Sequence, residues 1–182
     1  IDTPMTTTVK LDPDVDGQSV DATLYRSMIG ALMYLTASRP DIQFAVCKCA
    51  RFQSAPKESH LQVVKRILRY LKGTFDFGLW YSNSSLLDLV GYSNANFAGD
   101  KIDRTSTSGS CQLLGLSLVS WSSKKQNSIA LSTAEAEYVS AASCCAQLIW
   151  MKSTLLDYRL TFSNVPLFYD NQSALNIAKN PV

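Results

Sequence analysis

The order of hydrophobic patterns along this chain predicts an α/β fold, a mixed sheet flanked by helices and preceded by a small helical region. Two observations carry that expectation. Apolar residues recur at helical spacing from about residue 21 to residue 75, and from there the pattern shifts to short alternating runs. The second part then orders itself as paired strands, a long helix, a short strand and a last helix, the sequence of a mixed α/β layer. With 182 residues, 46% of them hydrophobic, the chain can bury a real core.

Residues 1–20 are rich in Thr, Asp and Pro and show no apolar period, so they read as a flexible linker or tail, with a strand paired against the body as the alternative. Asp21 can cap a helix whose apolar stripe is Leu24, Met28, Ala31, Leu32 and Leu35. Pro40 suits the first turn of a second helix, Asp41 to about Phe52. Pro56 and Glu58 open a third, with Leu61, Val64, Ile67, Leu68 and Leu71 as its core face and Gly73 at its C-terminal cap. Residues 21–75 thus form one helical region and 76–182 the α/β domain.

In that domain Phe77–Ser82 and Leu86–Ser93 read as strands joined by a turn at Asn83-Ser84-Ser85. Ser110–Leu114 and Leu118–Trp121 flank a turn at Gly115, a second hairpin. A long helix runs from Ser132 to about Asp157, followed by a strand at Val165–Tyr169 and a helix at Asn171–Lys179 that Pro181 stops. Ser132-x-x-Glu135 is a capping box, in which Glu135 reaches back to residue 132. Glu137 lies about 200° around the helix axis from Glu135 and is free for another task.

The net charge of +2 is unevenly spread. Five basic residues and one acidic lie between Lys57 and Lys72; the remainder holds 12 basic and 14 acidic. Lys65, Arg69 and Lys72 share one helix side with Arg66 flanking, a stripe that suits phosphates or an ordinary solvated face. Lys124 and Lys125 precede the long helix and suit the same partner or a solvated loop. His60 has no carboxylate or cysteine partner at a telling spacing and reads as a helix-surface histidine. Five cysteines without a Cys-x-x-Cys spacing read as free or buried thiols of a reducing compartment. No run approaches the roughly 20 apolar residues of a membrane span, and the first residues show no signal-peptide pattern.

Three segments carry chemistry: Gly91-Tyr-Ser-Asn-Ala-Asn-Phe-Ala-Gly-Asp100, Leu131-Ser-Thr-Ala-Glu-Ala-Glu-Tyr138 and Phe168-Tyr-Asp-Asn-Gln-Ser-Ala174. In that order they resemble the ribonuclease H domain of copia-type LTR-retrotransposon polyproteins. Tyr25–Thr36, Arg39-Pro-Asp41 and Lys65–Thr74 are similar to the thumb/connection segment that links polymerase to ribonuclease H in that family. The resemblance implies a domain that binds RNA–DNA hybrid and holds two Mg2+ (or Mn2+) ions about 3.5–4 Å apart for hydrolysis. It implies Asn94, Glu137 and Asp170 as the catalytic and metal positions, and a cytoplasmic setting in a virus-like particle, with the nucleus as alternative. Asp170 equally suits the N-cap of the helix that follows it.

The chain departs from the family at two places. Where the family reads Asp-Ala-Asp, this chain reads Asn94-Ala95-Asn96. An amide offers a neutral oxygen without the charge that balances Mg2+, although asparagines also simply suit a turn. Losing that charge costs several kcal/mol, roughly a thousandfold or more in rate. The family also continues beyond the region matching Val182 with a His-rich segment, a strand and a helix bearing a last acidic residue. A missing strand would leave Val165–Tyr169 as an open edge for a dimer or protein partner. The expectation is a hybrid-binding domain with impaired hydrolysis; the alternatives are a working Mg2+-dependent ribonuclease and a retrotransposon remnant acting through protein contacts.

Overall fold

The computed structural model describes residues 1–6, 11–83 and 87–180. They fall into two units, Ile1–Leu79 with Asp100–Ile102, and Trp80–Gly99 with Asp103–Val182. No described helix is long and apolar enough to cross a membrane.

The first unit is helical. α1 spans Ala22–Leu35, and the Asp21 carboxylate accepts from the backbone N–H groups of Thr23 and Leu24, satisfying two of the helix's free donors. Its buried residues are Tyr25, Ile29 and Leu32, whereas Leu24 is 55% exposed. The stripe is therefore turned from the expected one. Tyr25 enters the core because its hydroxyl finds a buried partner, donating to Cys49 O at 2.9 Å. Pro40–Ile42 forms a 3-10 turn that leads into α2, Gln43–Ala50.

α3 spans Glu58–Gly73 and buries His60, Val63, Val64, Ile67 and Tyr70 rather than Leu68, which is 42% exposed. His60 corrects the surface reading. It is fully buried, stacks on Phe52 at 4.1 Å, accepts from Lys57 N–H through Nδ1, and lies 2.8 Å from Asp12 O through Nε2. Both ring nitrogens are satisfied by backbone, so burial leaves neither unpaired. Residues ahead of α1 meet the start of α3: Glu58 N–H donates to Gln18 O and Val20 N–H to Pro56 O.

The second unit is a four-stranded mixed sheet flanked by helices, the architecture expected for a ribonuclease H-like fold. Its strands are β1 (Leu89–Asn96), β2 (Thr107–Leu114), β3 (Ser117–Lys125) and β4 (Leu167–Phe168), in the order β3-β2-β1-β4. β1–β2 and β2–β3 are antiparallel and β1–β4 is parallel. The β2–β3 turn uses Gly115 at φ 61°, a conformation glycine adopts without steric cost. Phe77–Ser82 is not a strand; Phe77 N–H instead closes a turn onto Thr74 O. The turn expected beside it falls partly on Ser84 and Ser85, outside the described residues.

α4 (Thr133–Asp157) packs on one face of this sheet through Cys144, Leu148 and Met151. A Cβ on Gly91 would lie 2.6 Å from Leu148 Cδ1, so only glycine permits this approach. α5 spans Gln172–Lys179. On the other face, register and the two-residue period place Phe168, Tyr92, Cys111 and Trp121 in one row across all four strands. Tyr92 and Phe168 stack at 5.4 Å and are 45% and 53% exposed.

Candidate functional site

The β1–β4 pairing sets the geometry of the site. Tyr92 lies beside Phe168, where the parallel pairing ends, and Asn94 and Asp170 each follow two residues further along the chain. Glu137, in the first turns of α4, reaches the same place: its Oε1 accepts from Ala95 N–H at 2.8 Å. The structure thus brings together the three positions named from sequence.

Glu137 is only 7% exposed, and its second carboxylate oxygen is buried with no hydrogen-bond partner. Burial pushes its pKa above the ordinary glutamate value; the Ala95 N–H bond pulls it down and the Asp170 charge raises it again. Asp170 acts at a distance short enough for the two carboxyls to influence one another. The N-cap of α5 is Asn171, whose side chain accepts from Ala174 N–H at 2.9 Å, so Asp170 does not serve as that cap. Asn94 and Asn96 are exposed along β1.

Ser140 locks this corner together. It is fully buried, accepts from Ser93 Oγ at 2.8 Å and donates toward Asn94 O at 2.9 Å. It therefore ties the β1 residues around position 94 to the helix that carries Glu137. Sequence reasoning missed Ser93 and Ser140. The available signal was a serine one turn after Glu137, on the helix side that must face the sheet. The capping box also closes differently: Ser132 Oγ accepts from Glu135 N–H, but Glu135 accepts from Leu131 N–H at 2.6 Å, one residue earlier than expected.

The donor set does not fit a pair of magnesium ions. Mg2+ dehydrates reluctantly and is held by carboxylates and phosphates. Here Glu137 is influenced by one other carboxylate, Asp170, and among the described residues no three His, Cys, Asp or Glu side chains group in a way that could hold a metal. The unpartnered Glu137 oxygen is the feature of this corner suited to a cation or a proton.

The basic residues divide. Lys65 pairs with Glu58 at 3.2 Å, and Arg66 donates to Thr3 O and Thr3 Oγ1, both at 3.1 Å. Arg69 and Lys72 are exposed, with no ion pair among the described residues. Lys125 pairs with Asp103 at 2.5 Å and holds that carboxyl well below the usual range. Lys124 is exposed. Gln126, next in line, turns inward and donates to Ser108 Oγ and Ala136 O.

Comparison with known proteins gives the relatives. The chain is 41% identical, over its full length, to the retrovirus-related Pol polyprotein from transposon RE1 of Arabidopsis thaliana. It is 40% identical over 99% of its length to that from transposon RE2 of the same plant. It spans 12% of the length of each of these two relatives. It is also 43% identical over 70% of its length to the secreted RxLR effector protein 161 of Plasmopara viticola, covering 90% of that protein. No protein-family model matches the chain, and no solved structure does. Over its whole length the chain is homologous to a segment of retrovirus-related transposon Pol polyproteins.

Proposed function

We propose that this chain is the thumb/connection and ribonuclease H portion of a retrotransposon reverse transcriptase, binding RNA–DNA hybrid with impaired hydrolysis. The observation that supports this reading is Glu137, bonded to β1 beside Asn94 and close enough to Asp170 to feel its charge. The position that needs the central negative charge holds an amide, so Mg2+ or Mn2+ binds weakly. Arg69 and Lys72 on α3 and Lys124 on β3 supply phosphate contacts, each releasing counterions on binding. The setting is the cytoplasm, within the element's particle.

The test incubates labelled RNA–DNA hybrid with the chain and Mg2+ or Mn2+. The expected result is salt-sensitive binding with little cleavage. Cleavage that Glu137→Ala abolishes would replace this reading with that of a working nuclease. A second reading, a transposon-derived protein acting through protein contacts, is favoured by one comparison: a relative named as a secreted effector is matched over 90% of its length at 43% identity. Hybrid binding absent at low salt would favour it.

A further inference from the structure

Two lysines reach solvent at the end of β3, and the glutamine that follows them does not. Gln126 is only 6% exposed. Its backbone N–H donates to Ser106 O at 2.9 Å, which fixes the residue beside the start of β2. From there its side-chain nitrogen donates to Ser108 Oγ at 3.0 Å and to Ala136 O at 2.9 Å. A carbonyl can only accept, so the Ala136 contact sets which end of the amide faces α4. The amide oxygen is left buried, with no partner among the described residues.

These bonds close a circuit around Glu137. Ala136 directly precedes Glu137 in α4, and Ser108 pairs with Ala95 in the β1–β2 register. The Ala95 N–H is in turn the donor to Glu137 Oε1 at 2.8 Å. Gln126 therefore holds both sides of that bond, one through the helix and one through the strand opposite Ala95. A buried amide oxygen without a partner costs free energy, so an apolar side chain of similar shape would serve the fold about as well. What this position uses is the pair of N–H donors. We propose that Gln126 is a positioning residue for Glu137: by tying the start of α4 to β2, it sets how closely Glu137 approaches β1 beside Asn94. Ser140 ties the next turn of α4 to β1, so the carboxylate is held between two anchors. This role rests on the reading of Glu137 as a site residue. Its test uses no nucleic acid, so loss of the role and absence of hybrid binding are separate results.

The test follows hydrogen exchange at the Ala95 amide of the full chain by nuclear magnetic resonance, beside that of the other β1 amides. Glu137→Ala removes the acceptor and sets the value for a lost bond. Gln126→Met keeps the length of the side chain and removes its donors. It is expected to speed Ala95 exchange about tenfold, toward the Glu137→Ala value, while the ladder amides and the urea midpoint stay near the parent's. Ser108→Ala removes one of the two Gln126 acceptors and should give a smaller acceleration at the same amide. Ala95 exchange unchanged in Gln126→Met would overturn the proposal, as would an Ala95 amide indifferent to Glu137→Ala. So would acceleration spread evenly over β1 with a lower midpoint, the mark of a packing role alone. Should Gln126→Met fail to fold, Ser108→Ala decides on the same terms.

Discussion

Returning the missing charge with Asn94→Asp is the most direct trial of the site. Asn94 is exposed and its carbonyl, not its side chain, is held by Ser140, so the substitution leaves the fold's bonds in place. Were the β1–β4 spacing kept two residues past its last pair, the new carboxylate would stand about 5 Å or more from Asp170. Two like charges at that distance repel by about 0.8 kcal/mol in bulk water and about 3 kcal/mol at the effective permittivity near a protein surface. Both positions are exposed, so solvent screening holds the loss without metal to about 1 kcal/mol or less, a fall in Tm of about 2–4 °C at most. A divalent ion reverses the sign. Mg2+ at a hundred times its Kd adds about 2.7 kcal/mol to the state that binds it. Thermal melts of parent and variant, each with chelator and with excess Mg2+, read both effects. The variant should melt lower than the parent in chelator and recover in Mg2+, while the parent barely responds. Identical melts in chelator, with neither protein responding to Mg2+, would refute the convergence of these three positions.

Glu137→Gln should raise stability at neutral pH. Because the folded pKa of Glu137 lies above its unfolded value, the folded state holds the extra proton, and stability falls as pH rises through that window. The variant should lack this part of the slope in denaturation midpoints measured from pH 4 upward. Gly91→Ala should cost about 1–3 kcal/mol in urea unfolding, because its Cβ would press on Leu148 and Cys144 within a packed layer. Neutralising Arg69 and Lys72 together should lower hybrid affinity and reduce the slope of log K against log salt by about two. An unchanged slope would remove α3 from the interface.

Local rules with one strong signal were legible in the sequence. Asp21 and Ser132 cap the helices they were expected to cap, and Gly115 turns the β2–β3 hairpin, because each act depends on neighbouring backbone alone. In α1 and α3 the expected Met28, Leu32, Leu35, Leu61, Val64, Ile67 and Leu71 lie in or against the core, but the rest of each buried face was not legible. Tyr25, His60 and Tyr70 count as polar in a hydrophobic pattern, yet each is buried with its polar atoms satisfied: by Cys49 O, by the backbone of Lys57 and Asp12, and by Asp41. Those partners lie elsewhere in the chain, and no local period reports them. Phe77–Ser82 alternates like a strand but has no pairing partner among the described residues, and pattern without a partner does not make a sheet. At the site, the motif positions were readable because they sit at element ends. Which of Asp170 and Asn171 would cap α5 was a choice between adjacent residues, decided by the backbone direction at the strand's exit.

The row of Phe168, Tyr92, Cys111 and Trp121 bears on the temperature response of the fold. Rings already hydrated in the native state add little heat capacity when the chain unfolds, and Tyr92 and Phe168 are both about half exposed. A binder that dries this row would instead show a negative heat-capacity change on binding, the mark of apolar surface leaving water.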